Sequence, residues 1–164
     1  MIEIKKLDNV EAVYKAILLL HEKVFCEILG FDLTFKDDVK KYLNNFSEHY
    51  DDKKDGLFVA YSHKNVIGSI IINSKEKIKT NTTRIRLFVV SPDHWKQGIG
   101  KKLLEISLKF CKEKKFSKVV LWTFKELETA HHLYLKEAFK LVEEREVDYW
   151  GQTRVEQKFV LDLK

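Results

Sequence analysis

The order of elements readable along this chain, β-α-α-β-β-β-α-β-α-β-β, predicts an α/β protein in which a mixed β-sheet is flanked by helices. Four segments carry apolar residues at helical spacing, seven alternate or run apolar over strand lengths, and short polar turns separate them. At 164 residues the chain suits a single domain, 1–164, with one good core. No Ser/Gly-rich linker, internal repeat or low-complexity stretch divides it.

Residues 2–7 alternate and open the sheet. Asn9 stands where it would cap a first helix, whose residues Val13, Ile17, Leu20, Val24 and Ile28 share one face. Gly30 ends that helix in a position favouring a left-handed residue. A second helix covers 36–49 with Val39, Leu43 and Phe46 inward, and the polar run 51–56 is a loop. Strands 57–61 and 66–73 are joined by the turn 62–65 as a hairpin. The strand 83–90 ends at Ser91-Pro92, because proline offers no N–H to a ladder. A third helix spans 98–114 with Ile99, Leu103, Ile106 and Phe110 inward. Residues 119–123 form a short strand buried on both faces, with Trp122 inside the sheet. A fourth helix over 128–137 and strands over 140–149 and 155–163 complete the chain.

The composition, 45% hydrophobic and 34% charged, is that of a soluble globular protein. No run approaches the roughly 18–20 apolar residues of a membrane span, so no membrane partner is expected. The first residues read as a strand and not as a signal peptide. Cys26 and Cys111 lie in helical patterns without metal-ligand spacing, which points to a reduced, cytoplasmic setting and to no metal site. The net charge of +5 fits an anionic ligand, and equally a lysine-rich proteome. The lysines are spread along the chain and form no basic tract, so nucleic acid is not an expected partner.

The chemically informative stretch is LFVVSPDHWKQGIGKK, residues 87–102. A strand runs into Pro92, and Gln97-Gly98-Ile99-Gly100 opens a helix. The first amides of a helix have no partners within it, and the dipole makes that end positive. Glycine there allows a ligand close to the main chain, which makes an anion seat suited to a pyrophosphate. Lys96, Lys101 and Lys102 add positive charge. The spacing is neither a Walker loop nor a dinucleotide fingerprint. A Gly-x-Gly at a helix start also serves as a plain tight turn. Context favours the anion seat, since Pro92 follows an apolar strand and a further strand and helix come after.

Val90-Ser91-Pro92 followed by Trp95-Lys96-Gln97-Gly98-Ile99-Gly100 resembles the GCN5-related N-acetyltransferase superfamily, whose pattern is Val-x-Pro and then Arg/Gln-x-x-Gly-x-Gly/Ala. Its second block, Ala-x-x-Leu-Tyr-x-Lys-x-Gly-Phe, is matched by residues 130–139, AHHLYLKEAF. The resemblance covers essentially the whole chain. It implies a mostly antiparallel sheet and an enzyme that moves acetyl from acetyl-CoA to an amine. Residues 21–35 and the tail from Leu121-Trp122-Thr123 through Tyr149-Trp150-Gly151-Gln152 are similar to acetyltransferase domains fused to MarR-type regulators, of which this would be a free-standing version. Three positions depart from the pattern: Trp95 replaces Arg/Gln, Ala138 replaces Gly, and Arg86 stands where many relatives carry a carboxylate base.

By this resemblance the main chain of Phe88, Val89 and Val90 holds the pantetheine arm, and Gln97, Gly98, Ile99, Gly100, Lys101 and Lys102 hold the pyrophosphate. Tyr134 serves the departing thiolate, as a phenol of ordinary pKa near 10 can; its alternative is a core aromatic. Glu27 is the first carboxylate to test as base, with Glu143 and Asp148 after it, although each fits a solvated surface charge equally. Arg86 would clamp an acceptor carboxylate or pair across the sheet. Phe25, Phe31, Trp122, Tyr149 and Trp150 gather around the expected acceptor pocket, and at most one of His131 and His132 faces the cofactor channel. The acceptor is a small-molecule or peptide amine that the sequence does not name. A homodimer through the last strands is compatible with the pattern. A catalytically silent acyl-CoA-binding module is the alternative, kept open by Trp95 and Arg86, and an unrelated phosphate-binding α/β protein is the third reading.

Overall fold

The computed structural model describes residues 1–75 and 81–163. Its strands are β1 (Ile2–Leu7), β2 (Gly56–Ser62), β3 (Asn65–Asn73), β4 (Thr82–Val90), β5 (Lys118–Phe124), β6 (Lys140–Tyr149) and β7 (Gln152–Asp162). They form one sheet in the order β1-β2-β3-β4-β5-β7-β6. Every neighbouring pair is antiparallel except β4 and β5. The helices are α1 (Tyr14–His21), α2 (Thr34–Glu48), α3 (Ile99–Glu113) and α4 (Glu128–Lys136), and α1 continues as a π-helical segment, Glu22–Ile28. The mixed, mostly antiparallel sheet with flanking helices is the predicted class.

Strand alternation sends side chains to two cores. Phe58, Ile70, Ile72, Ile85, Leu121 and Phe159 meet α3 and α4 through Leu103, Leu104, Leu108 and Tyr134. Leu57, Val59, Ile71 and Phe124 meet α1 and α2 through Ile17, Phe35, Val39 and Leu43. Leu43 is fully enclosed, and truncating such a side chain to alanine costs about 2–5 kcal/mol. The β2–β3 turn is tight: Ser62 pairs with Asn65, and both His63 (φ 49°) and Lys64 (φ 74°) take the left-handed conformation of a type I′ hairpin.

Three local expectations are corrected. Asn9 caps nothing, because its amide is turned to Asp8 and the chain enters α1 through a 3-10 turn, Glu11–Val13, anchored by buried Val10. Ile28 is half exposed, because i→i−5 bonds such as Leu29 N–H to Val24 O rotate later residues out of a 3.6-residue stripe. Ile106 is 38% exposed, at the edge of an inner face set by Leu103, Leu104, Ser107, Leu108 and Cys111.

The feature that positions the site lies between β4 and β5. They pair only from Thr82↔Lys118 to Arg84↔Val120 and then part. Just beyond, β4 bulges: Ser69 and Ile71 on β3 face Val89 and Arg86, so β4 holds an extra residue. Leu87 takes φ 47° there, and the Ser69 hydroxyl donates to its carbonyl at 3.0 Å. The gap opens toward the C-terminal ends of both strands, where the chain leaves β4 for α3.

Candidate functional site

The mouth of α3 is built by two left-handed residues, one on either side of Gln97. Lys96 has φ 63°, and Gly98, the residue capping the helix, has φ 77°. A Cβ on Gly98 would meet nothing within 4 Å, so glycine is required there by the backbone angle and not by crowding. The first helical bond runs from Lys102 N–H to Gly98 O. The amides of Ile99, Gly100 and Lys101 precede it and project from the positive end of the helix. Gln97, Lys101 and Lys102 are exposed around this mouth, whereas the Ile99 side chain is buried and contributes only its amide.

At the end of β4 the Ser91 N–H donates to Ile67 O at 2.7 Å. In a planar trans peptide the Val90 carbonyl therefore points the other way, into the gap. The indole Nε1–H of Trp95, 47% exposed, donates to that carbonyl at 2.8 Å. Phe88 and Val90 pack toward α3 and α4, while Val89 packs on the opposite face with Leu20 and Val24.

Tyr134 lies beside the gap, its ring centroid 6.3 Å from Phe88, 5.8 Å from Phe139 and 5.7 Å from Phe159. Burial pushes its phenol well above the ordinary value. None of the hydrogen bonds among the described residues uses its hydroxyl, which therefore stays protonated and unengaged there across the working pH range. This revises the expectation of a donor matched in basicity to a thiolate. Of the neighbouring pair, His131 is the half-buried one, its Nε2 3.1 Å from Phe124 O, and His132 is exposed.

The other face carries an aromatic wall. Phe25 lies 5.5 Å from Phe31 and 4.9 Å from Phe35, and Phe31 lies 5.3 Å from Phe124 at the end of β5 and 5.1 Å from Trp150. Trp150 is pinned, donating from Nε1 to Asp38 at 2.7 Å, and with Gly151 it forms the left-handed β6–β7 turn. Tyr149 beside it is 42% exposed. Trp122 belongs elsewhere: it is half-buried, not inside the sheet, with the Arg145 guanidinium 4.2 Å over its ring. Arg86, also half-buried, stacks 4.1 Å over Tyr42 of α2. Glu27, Glu143 and Asp148 are all exposed.

One residue that spacing does not single out is His21. It is 2% exposed, with Nδ1 2.8 Å from Ile17 O, its ring stacked on Phe25 at 5.8 Å, and no partner for buried Nε2. Burial pushes its pKa down to about 4. Its only trace in the sequence is a histidine interrupting an apolar stripe. Among the described residues no group of three or more His, Cys, Asp or Glu is gathered to hold a metal, and no helix is long and apolar enough to cross a membrane.

Solved acetyltransferases share this architecture. The IAA acetyltransferase of Bacillus cereus superposes with a TM-score of 0.71 at 21% identity, covering 99% of this chain and all of that one. An acetyltransferase of Streptococcus agalactiae gives 0.75 at 24% identity, with 99% and 98% covered. A putative acetyltransferase of Salmonella typhimurium, yncA, solved with its cofactor acetyl-CoA, gives 0.78 at 14% identity, with 100% and 95% covered. Among curated proteins none matches the sequence. Residues 23–139, most of the chain, match the model of the acetyltransferase (GNAT) family, and the chain belongs to that family.

Proposed function

We propose that this protein is an N-acetyltransferase that passes acetyl from acetyl-CoA to a primary amine by direct attack. The observation that carries the reading is the parting of β4 and β5 beyond Arg84, with free helix amides at its mouth and a buried phenol at its side. When bound, acetyl-CoA supplies an activated acetyl thioester and a thiolate leaving group. Main-chain groups of Phe88, Val89 and Val90 hold the arm along the free edge of β4. The amides from Gln97 to Lys102, with the Lys101 and Lys102 ammonium groups, neutralise the pyrophosphate. Tyr134 donates a hydrogen bond to the sulfur as charge develops on it. Because its proton is held tightly, it stabilises the thiolate more than it gives the proton away.

On the amine side Glu27 is the carboxylate assigned as base, and Arg86, Tyr149 and Trp150 line the approach, while Trp122, under Arg145, stands apart from it. A cytoplasmic location, a homodimer through the last strands and kinship with the acetyltransferase domains fused to MarR-type regulators belong to the same reading. A silent acyl-CoA-binding module is the second reading, favoured by the indole on the Val90 carbonyl.

Free-thiol release from acetyl-CoA across a panel of amino acids, peptides and small amines separates the two. The enzyme turns over at least one of them. Tyr134→Phe then lowers kcat by roughly 10²- to 10⁴-fold, with acetyl-CoA affinity by calorimetry unchanged. Full turnover by that variant would remove Tyr134 from the mechanism.

A further inference from the structure

Arg154, near the start of β7, fastens together segments that are far apart in the sequence. One arm of its guanidinium, Nη1–H, donates to Glu126 Oε1. The other, Nη2–H, donates to Leu29 O and to Gln152 Oε1, each at 2.7 Å. Its central carbon lies 4.1 Å from the centroid of the Phe31 ring, and Phe31 meets Phe124 edge to face at 5.3 Å. The pair is thereby set against the aromatic wall, on the face away from Tyr134. Glu126 stands two residues past Phe124, the last residue of β5, at the end of the strand toward which the β4–β5 gap opens. Its main chain is held there by Lys125 N–H to Val155 O at 2.9 Å and Leu127 N–H to Phe124 O at 3.0 Å. The Glu126 side chain is 45% exposed and that of Arg154 only 6%, so solvent reaches the carboxylate while the cation that grips it is closed off. Arg154 takes Oε1, and none of the hydrogen bonds or ion pairs among the described residues uses Oε2.

We infer that Glu126 recognises the acceptor at the rim of the gap: Arg154 grips one carboxylate oxygen, and the other takes a hydrogen bond from the ammonium group of the incoming amine. The inference rests on the acetyltransferase reading and names the form in which the second substrate is met. An alkyl amine resembles the lysine side chain, with a pKa of about 10.4, and so arrives as a cation. Charge-assisted hydrogen bonds are roughly twice as strong as neutral ones, which makes an open carboxylate oxygen the natural first partner. A carboxylate has lone pairs to spare after one donor is bound, so Arg154 does not use up the group. A free glutamate would lose rotamer freedom on meeting its ligand, whereas the buried guanidinium has already fixed this one. Phe31, Phe124 and Trp150 stand beside it, so the site fits an ammonium group carried on an apolar or aromatic stem. It disfavours an acceptor with a carboxylate next to the amine, because the anion is what the rim exposes and the cation is buried behind it.

The test uses the amine of the thiol-release panel with the highest kcat/KM, together with its alcohol counterpart, which has the same stem and no charge. Glu126→Gln keeps an oxygen for Arg154 and removes the charge. It should raise the KM for the amine roughly 5- to 20-fold, a charged hydrogen bond discounted for a half-exposed site. The kcat, the KM for acetyl-CoA and competitive inhibition by the alcohol should stay unchanged. Arg154→Lys keeps a cation and loses the fork, so it should raise the KM for the amine by a smaller factor. Glu126→Gln should then add less in that background than alone, because the two residues act as one unit. Strict additivity removes Arg154 from the proposal. An unchanged KM for the amine in Glu126→Gln overturns the whole inference. So does a rise in that KM matched by weaker inhibition by the alcohol and a higher KM for acetyl-CoA, which would mark a structural role. Should Arg154→Lys fail to fold, Glu126→Gln decides alone. If the unsubstituted protein acetylates no amine, the proposed function falls and this inference with it, an outcome distinct from an active protein indifferent to Glu126→Gln.

Discussion

Trp95 shows how a single substitution changes a shared site. Where the resemblance expects Arg or Gln, this side chain offers no charge to a phosphate and instead satisfies the Val90 carbonyl, the group that faces the gap. An incoming arm that uses this carbonyl must displace the indole, so affinity is reduced by the cost of one neutral hydrogen bond. Trp95→Phe keeps an aromatic ring and removes the donor. Its Kd for acetyl-CoA should fall about 2- to 10-fold by calorimetry, the equivalent of a bond worth roughly 0.5–1.5 kcal/mol. An unchanged Kd would mean that the arm does not use the Val90 carbonyl. Trp95 was legible as a departure in the motif, but its hydrogen bond was not, because position in a pattern says nothing about which way an indole turns. Tyr134 was legible through the residues around it, and its strongly raised pKa was not, since that comes from rings contributed by β4 and β7.

At the scale of elements, the end of α4 carries a testable strain. Phe139 N–H bonds to Tyr134 O and Ala138 N–H to Leu135 O, the paired bonds of a Schellman motif. Ala138 takes the left-handed position at φ 69°, which costs an L-residue roughly 1–2 kcal/mol. The departure from glycine noted in the sequence is therefore a departure in energy and not in geometry. The motif keeps Phe139 against the Tyr134 ring and so keeps the phenol in place. Ala138→Gly should raise unfolding free energy by about 0.5–1 kcal/mol in urea titrations, the relief of strain exceeding the extra chain entropy of glycine. A lower value would show that the backbone there is not strained. The π segment after α1 is the counterpart that periodicity could not reveal. Its i→i−5 bonds turn Ile28 outward, and helical spacing read along the chain assumes an unbroken 3.6-residue turn.

For the whole molecule, two buried titratable groups set the response to acid. His21 has a folded pKa lowered to about 4 from 6.5, so below pH 6.5 the unfolded chain binds a proton that the folded chain refuses. Stability is lost as pH falls from 6.5 to about 4, by on the order of 3 kcal/mol in total. Burial alone would raise the pKa of Asp55, but hydrogen bonds from Lys75, the Ser74 hydroxyl and the Ser74 and Asp51 amides hold it below 3.8. Its contribution is present above pH 3.8 and is lost below it. Urea denaturation at pH 7, 5.5 and 4 should show the first loss, and His21→Phe should flatten it; a flat profile in the unsubstituted protein would contradict the burial of a neutral imidazole. Read along the chain, apolar periodicity determined the number and order of strands and helices, and the Val-Ser-Pro to Gly-Ile-Gly stretch located the anion seat, because both are consequences of local spacing. Only the tertiary structure decided where β4 and β5 part, that Trp122 stands apart from the Phe25–Trp150 wall, and that His21 is enclosed with a bare nitrogen. Those facts arise when strands and helices distant in sequence are packed against one another, and burial, unlike periodicity, is not a property of neighbours along the chain.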